Sequence, residues 1–155
     1  MALVIPFVPD PAKGVAEMAR VVRPGGMVAA YAWDIFGGGF TLEPIRIEMR
    51  AMGLTVLNPP SSEASRIDVL RDLWTRAGLK EVETREITVH RTFPDFEDFW
   101  TTSLLAPSMR SVIAATAPDD IELLKARVRA SLPADATGHI TNSARANVVK
   151  GRVPK

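Results

Sequence analysis

The sequence has no cysteine, which excludes disulfides, thiolate metal sites and a cysteine nucleophile and fits a reducing, cytoplasmic setting. It has only two histidines, His90 and His139. Neither has an acid or a second histidine at the spacing of a metal site or a triad, so each reads as a packed or surface side chain. No long apolar run is present. The opening Met1–Val8 stretch breaks at Pro9-Asp10-Pro11, too early for a membrane span, and it lacks the basic segment of a signal peptide. There is no excess of one charge either: 19 basic and 18 acidic residues give a net charge of +1. Without a long basic stretch, electrostatic capture of nucleic acid is not its task. What remains is an ordinary globular composition, 46% apolar and 24% charged over 155 residues, enough for one core and a single domain over 1–155.

Asp10-Pro11 predicts a helix start, with an acid to cap free N–H groups and proline where its missing N–H costs nothing. Val15, Met18, Ala19 and Val22 then recur with helical spacing. Pro24 stops the helix and Gly25-Gly26 supplies a tight reversal. Met27–Trp33 has no polar alternation, which predicts a strand covered on both faces. A short helix over 44–52 follows. Ser65 with Asp68 has the spacing of a capping box for the next helix, whose stripe is Leu70, Leu73, Trp74 and Ala77. Lys80–Phe93 reads as a long strand, with Ile87, Val89 and Phe93 on one side and Val82, Thr84, Thr88 and His90 on the other. Helices near 95–100, 108–116 and 119–132 lead to a last strand over 139–150, with Ile140, Ala144, Ala146 and Val148 on one face. The order is α/β with a small mixed sheet flanked by helices.

Phe-Val-Pro-Asp-Pro at 7–11, Glu-Met-Ala-Arg-Val-Val-Arg-Pro-Gly-Gly at 17–26 and Ala-Trp-Asp at 32–34 resemble a class I S-adenosylmethionine-dependent methyltransferase. The likeness is to its small-molecule type, similar to ubiquinone and menaquinone biosynthesis enzymes. The matched stretch runs from just after that family's fourth strand into its fifth. Leu73–Leu79 resembles the helix leading to the sixth strand, Phe93–Trp100 a segment roofing the substrate pocket, and Ala144–Arg152 a seventh strand antiparallel to the rest. The resemblance therefore implies a partial Rossmann-like sheet of three to four strands, the C-terminal half of the domain. In the family, the methyl donor lies on a glycine-rich loop after the first strand, and an acid ending the second strand binds its ribose. Neither is found here, and Met1 falls where the fourth strand should be ending. The expectation is a truncated domain, a misassigned start or a fragment, with no S-adenosylmethionine bound to this chain alone and no turnover.

Gly37-Gly38-Gly39 follows the strand but does not fit a dinucleotide loop: the third glycine of G-x-G-x-x-G falls on Leu42, and no helix begins there. The glycines read as a flexible loop, near the substrate if the resemblance holds. Trp33, Asp34, Phe36 and Phe40 are then pocket candidates, against core packing for Trp33 and surface for the others. Asp34 could orient a substrate or act as a base, or could simply form the turn. Phe96 and Trp100 are further candidates, against a plain hydrophobic face. Ser61-Ser62 and Ser131 lack the elbow of a serine hydrolase. No catalytic, cofactor-binding or metal residue is assigned. The methyl acceptor would be a small or lipid-like molecule. The alternative is a non-catalytic association module: without its fourth strand, Met27–Trp33 presents an open edge. Ala2–Pro6 could fold back onto that edge, or two copies could join as a symmetric dimer, and the dimer is the favoured expectation.

Overall fold

Asp10 caps the first helix as its residue type predicts: its side chain accepts the Lys13 N–H at 3.0 Å, and Pro11 opens α1 (Pro11–Val21). The computed structural model describes residues 1–155. After α1 the Arg-Pro-Gly-Gly turn uses Gly25 at a φ of 74°, where a side chain would be strained. Its ends are stitched to the tail, Gly25 N–H to Val153 C=O and Val153 N–H to Gly26 C=O. The chain then runs through β1 (Met27–Trp33), α2 (Glu43–Ala51), α3 (Ile67–Arg76), β2 (Lys80–Phe93), α4 (Phe96–Leu104), α5 (Pro107–Ala114), α6 (Pro118–Ser131) and β3 (Ile140–Arg152).

The three strands form one sheet in the order β1-β3-β2. β3 lies antiparallel to β1, with Met27 opposite Arg152 and Trp33 opposite Ala146. On its other side, Glu81 pairs with Arg152, Glu83 with Lys150 and Thr92 with Thr141, a falling number against a rising one, as antiparallel strands require. The expected mixed sheet is thus antiparallel throughout its named strands. The one parallel element is an isolated bridge from Ala2 to Tyr31 on the outer edge of β1. There the Leu3 N–H reaches Tyr31 C=O at 2.8 Å, and the Tyr31 N–H reaches Met1 C=O at 3.1 Å. This edge takes the fold-back of the N-terminal residues.

The chain forms two compact units. The first comprises 1–40, 58–89 and 144–155. Its core joins Ile5, Val15, Val28, Ala30, Ala32, Leu70, Trp74, Leu79 and Val149. Trp74 is fully buried and donates its indole N–H to Val28 C=O at 3.0 Å, so the ring fills the core without an orphan donor. Burial along β1 alternates: Val28, Ala30 and Ala32 are buried, whereas Met27, Ala29 and Tyr31 are exposed. The expectation of cover on both faces was therefore wrong. The apolar run records what the side chains are, not what neighbours them, and the buried stripe residues of α1 and α3 share one core with only the inner residues of β1. On β3, Asn147 and Val149 stand opposite Ala32 and Ala30 on the inner face, while Ala144, Ala146 and Val148 share the other face, as alternation predicted, with the two alanines buried there as well.

The second unit comprises 41–57 and 90–143. Ile45 and Met49 of α2 and Leu124 and Val128 of α6 are buried, and Arg127 of α6 meets Glu48 of α2 at 2.8 Å. Asp95 caps α4 by accepting the Asp98 N–H. Ser65 does not cap α3 as its spacing predicted. Arg66 holds the N-cap place with no side-chain bond, and Ser65 is buried in a short 3-10 turn over Ser62–Ser65.

Candidate functional site

The carboxyl end of β1 gathers the most polar chemistry in the first unit. Asp34 is 6% exposed. Its Oδ1 accepts the Gly37 N–H at 2.9 Å, and its Oδ2 accepts Arg145 Nε at 3.0 Å and Arg145 Nη2 at 2.5 Å. Arg145 Nη2 also donates to Gly37 C=O at 2.8 Å, and the Arg145 N–H to Gly39 C=O at 2.8 Å. Hydrogen bonding to Asp34 raises the Arg145 pKa above the ordinary guanidinium value. The loop is therefore clamped by an ion pair between residues 111 positions apart.

Each glycine of the loop has a separate cause. A Cβ on Gly37 would lie 2.1 Å from Asp34 Oδ2, and one on Gly39 would lie 2.6 Å from Arg145 Cβ and 2.9 Å from the Arg145 carbonyl oxygen. Gly38 meets nothing but has a φ of 78°. Two glycines admit the clamp and the third makes the bend. The loop read as flexible is pinned to β3. Asp34 forms the turn, one of its three expected uses, with both carboxylate oxygens hydrogen-bonded.

Of the other candidates in this unit, Trp33 and Phe40 are half-buried and Phe36 is exposed. The Arg66 guanidinium lies 4.4 Å above the Phe36 ring while its Nε bonds Glu63 at 2.6 Å. Nearby in sequence, Ser61 ties its segment to the opening residues, its hydroxyl donating to Val8 C=O at 2.7 Å and its N–H to Pro6 C=O. Beneath, Asn147 donates to Ser65 C=O at 2.9 Å, while Asn147 Oδ1 and Ser65 Oγ have no hydrogen-bond partner.

Phe96 and Trp100 belong to the second unit, where both are buried. Their rings stack at 6.2 Å, and Phe99 packs edge-on to Phe93 at 5.3 Å. Arg129 lies over Phe96 at 4.6 Å, and its partner Glu97 also meets Lys125 at 2.8 Å. His139 sits in an exposed turn with Asp135 and Thr137, and His90 is exposed on β2. No group of three metal-ligating side chains is present. The sequence reading missed Arg145 and Asn147. The only signal for Arg145 was a lone cation flanked by alanines in a strand, and its partner is set by sheet register.

No protein-family description matches the chain, and no curated protein matches it by sequence. Among solved structures it is similar to a protein from Bacillus halodurans C-125 provisionally called a methyltransferase, at 16% identity and a TM-score of 0.47. That alignment covers 99% of this chain and 68% of the other. It is also similar to phosphoethanolamine N-methyltransferase 2 from Haemonchus contortus in complex with S-adenosyl-L-methionine, at 13% identity and a TM-score of 0.42. There it covers 99% of this chain and spans 32% of the other. Neither score is high enough to bear on activity.

Proposed function

We propose that this chain supplies the part of an S-adenosylmethionine-dependent methyltransferase domain that follows the fourth strand, and that the whole domain acts on a small or lipid-like acceptor. The observation that carries the reading is the sheet order around β1. One edge of β1 takes a parallel segment at Ala2, and the other takes the last strand, antiparallel and inserted between β1 and β2. The resemblance assigns a parallel fourth strand and an antiparallel seventh strand to those two places, entered through the same Arg-Pro-Gly-Gly turn.

Methyl transfer is an in-line attack in which the acceptor–carbon bond forms as the sulfur–carbon bond breaks, so the protein mainly positions the reactants and excludes water. Trp33, Asp34, Phe36 and Phe40, at the carboxyl end of β1, are the acceptor-side candidates in this reading. Phe96 and Trp100 serve as packing within the second unit. No base is assigned, because the Asp34 carboxylate is committed to Gly37 and Arg145. The residues present do not fit the donor either: Gly37 and Gly39 approach Asp34 and Arg145, so they cradle the protein's own side chains.

The test is the genomic frame upstream of the Met1 codon. The reading expects it to encode a strand, a G-x-G loop and a strand-ending acid in register with this chain, and the product of the full frame to transfer methyl groups. An upstream stop codon close to Met1, with methyl transfer by the 155-residue chain itself, would overturn it.

A second reading, a homo-oligomerising module, is favoured by the exposed apolar side chains on the outer face of β1.

A further inference from the structure

Arg145 stands between two carboxylates of the first unit. Its Nε and Nη2 bond Asp34 Oδ2 at 3.0 Å and 2.5 Å, and the same Nε lies 3.8 Å from Glu86 Oε1, an ion pair too long for a hydrogen bond. Strand pairing places the second acid. Carrying the match of Glu83 with Lys150 along the strands sets Thr88 opposite Arg145, with Glu86 diagonal to it on the same face. Long side chains span that diagonal. The other acids of β2 do not compete, because Glu81 and Glu83 point to the opposite face and meet Arg152 and Lys150 there.

The two acids differ in setting. The Asp34 side chain is 8% exposed, that of Arg145 33% and that of Glu86 50%. A buried carboxylate holds its cation more strongly than a half-exposed one, so the guanidinium rests on Asp34. The loop backbone does not need it there. Asp34 N–H bonds Arg145 C=O, Arg145 N–H bonds Gly39 C=O and Gly39 N–H bonds Asp34 C=O, three main-chain contacts of 2.8–3.0 Å. Besides Asp34 itself, only the Gly37 C=O loses a donor when the guanidinium turns away. With a third of its side chain exposed, Arg145 turns through solvent and not through the core. We infer that Arg145 gates Asp34: its guanidinium exchanges between Asp34, its resting partner, and Glu86, and in the second position leaves Asp34 Oδ2 open to a cationic N–H group of a ligand. The open form is minor, on the order of 1% of molecules, until such a group takes the guanidinium's place. A cation suits that place because a buried carboxylate needs a charge-assisted partner. Use of the opened Asp34 by a methyl acceptor rests on the acceptor-side reading above, whereas the exchange between the two acids does not.

Crystal structures and the NMR resonance of the Arg145 Nε–H in the 155-residue chain test it, with far-UV circular dichroism confirming that each variant folds. In Asp34→Asn the guanidinium moves to Glu86, with N–O distances of about 2.7–2.9 Å in place of the 3.8 Å contact. Methylammonium, the smallest probe of the expected kind, shifts the wild-type resonance saturably, and tetramethylammonium, equally charged but without an N–H, does not. Glu86→Gln, at a half-exposed side chain, removes the second resting place and weakens the methylammonium response at least about threefold. Glu83→Gln, whose partner is Lys150, leaves the response unchanged. A guanidinium that stays in place or turns to solvent in Asp34→Asn overturns the exchange, as does a methylammonium response that Glu86→Gln leaves undiminished. An equal response to the two cations, or none to either, overturns the ligand assignment and leaves the exchange to the Asp34→Asn structure. None of these outcomes depends on methyl transfer, which the upstream frame tests separately.

Discussion

Replacing Arg145 with methionine removes three side-chain hydrogen bonds at once, two to Asp34 Oδ2 and one to Gly37 C=O. It leaves a carboxylate whose side chain is 8% exposed with only the Gly37 N–H to stabilise it. Removing one partner of a fully buried pair costs roughly 3–5 kcal/mol. Arg145 is a third exposed, so water compensates in part, and the cost here is about 2–3 kcal/mol. In urea denaturation that is a midpoint shift of roughly 1 M with the slope unchanged. The second half of the experiment separates the clamp from simple loss of packing. Asp34→Asn keeps an oxygen for the Gly37 N–H but no longer buries a charge, so Asp34→Asn/Arg145→Met should be more stable than Arg145→Met alone. If Arg145→Met costs less than about 0.5 kcal/mol, the pair is a screened surface contact and the clamp account fails. Strict additivity of the two substitutions would refute it equally.

The same loop predicts a ranking among glycines. Gly38→Ala, strained in φ but unobstructed, should cost about 1 kcal/mol, and Gly39→Ala, whose Cβ would meet Arg145 backbone and Cβ, should cost clearly more. Equal costs by thermal melting would mean that the close approach is not what selects glycine at 39. Acid should destabilise the fold. Asp10 is held below the ordinary carboxyl value chiefly by the Lys13 N–H, Glu97 by Lys125, and Asp135 by Thr137. A depressed folded pKa contributes stability above the unfolded value that is lost as pH falls through the folded one. The melting temperature should therefore hold from about pH 6 and drop below about pH 4, and a rise over that interval would contradict the assignments.

Local chemistry was legible in the sequence where one residue decides it. Asp10-Pro11 predicted the start of α1, Arg-Pro-Gly-Gly its stop, and the apolar run 27–33 the bounds of β1. Reading failed where the partner is distant. Ser65 and Asp68 have capping-box spacing, yet Asn147 of β3 reaches the Ser65 carbonyl and Ser65 lies buried one residue before the N-cap. Gly37-Gly38-Gly39 looks like flexibility until Arg145 is set beside it by the β1–β3 register. The outer face of β1 could not be inferred from its composition, because an apolar side chain is the same residue whether or not something covers it.

In the proposed function these residues form the carboxyl-side strands of a methyltransferase sheet and hold no seat for the methyl donor. Isothermal titration of the 155-residue chain with S-adenosylmethionine tests this directly. The predicted result is no saturable heat, and micromolar affinity with one site per chain would contradict it.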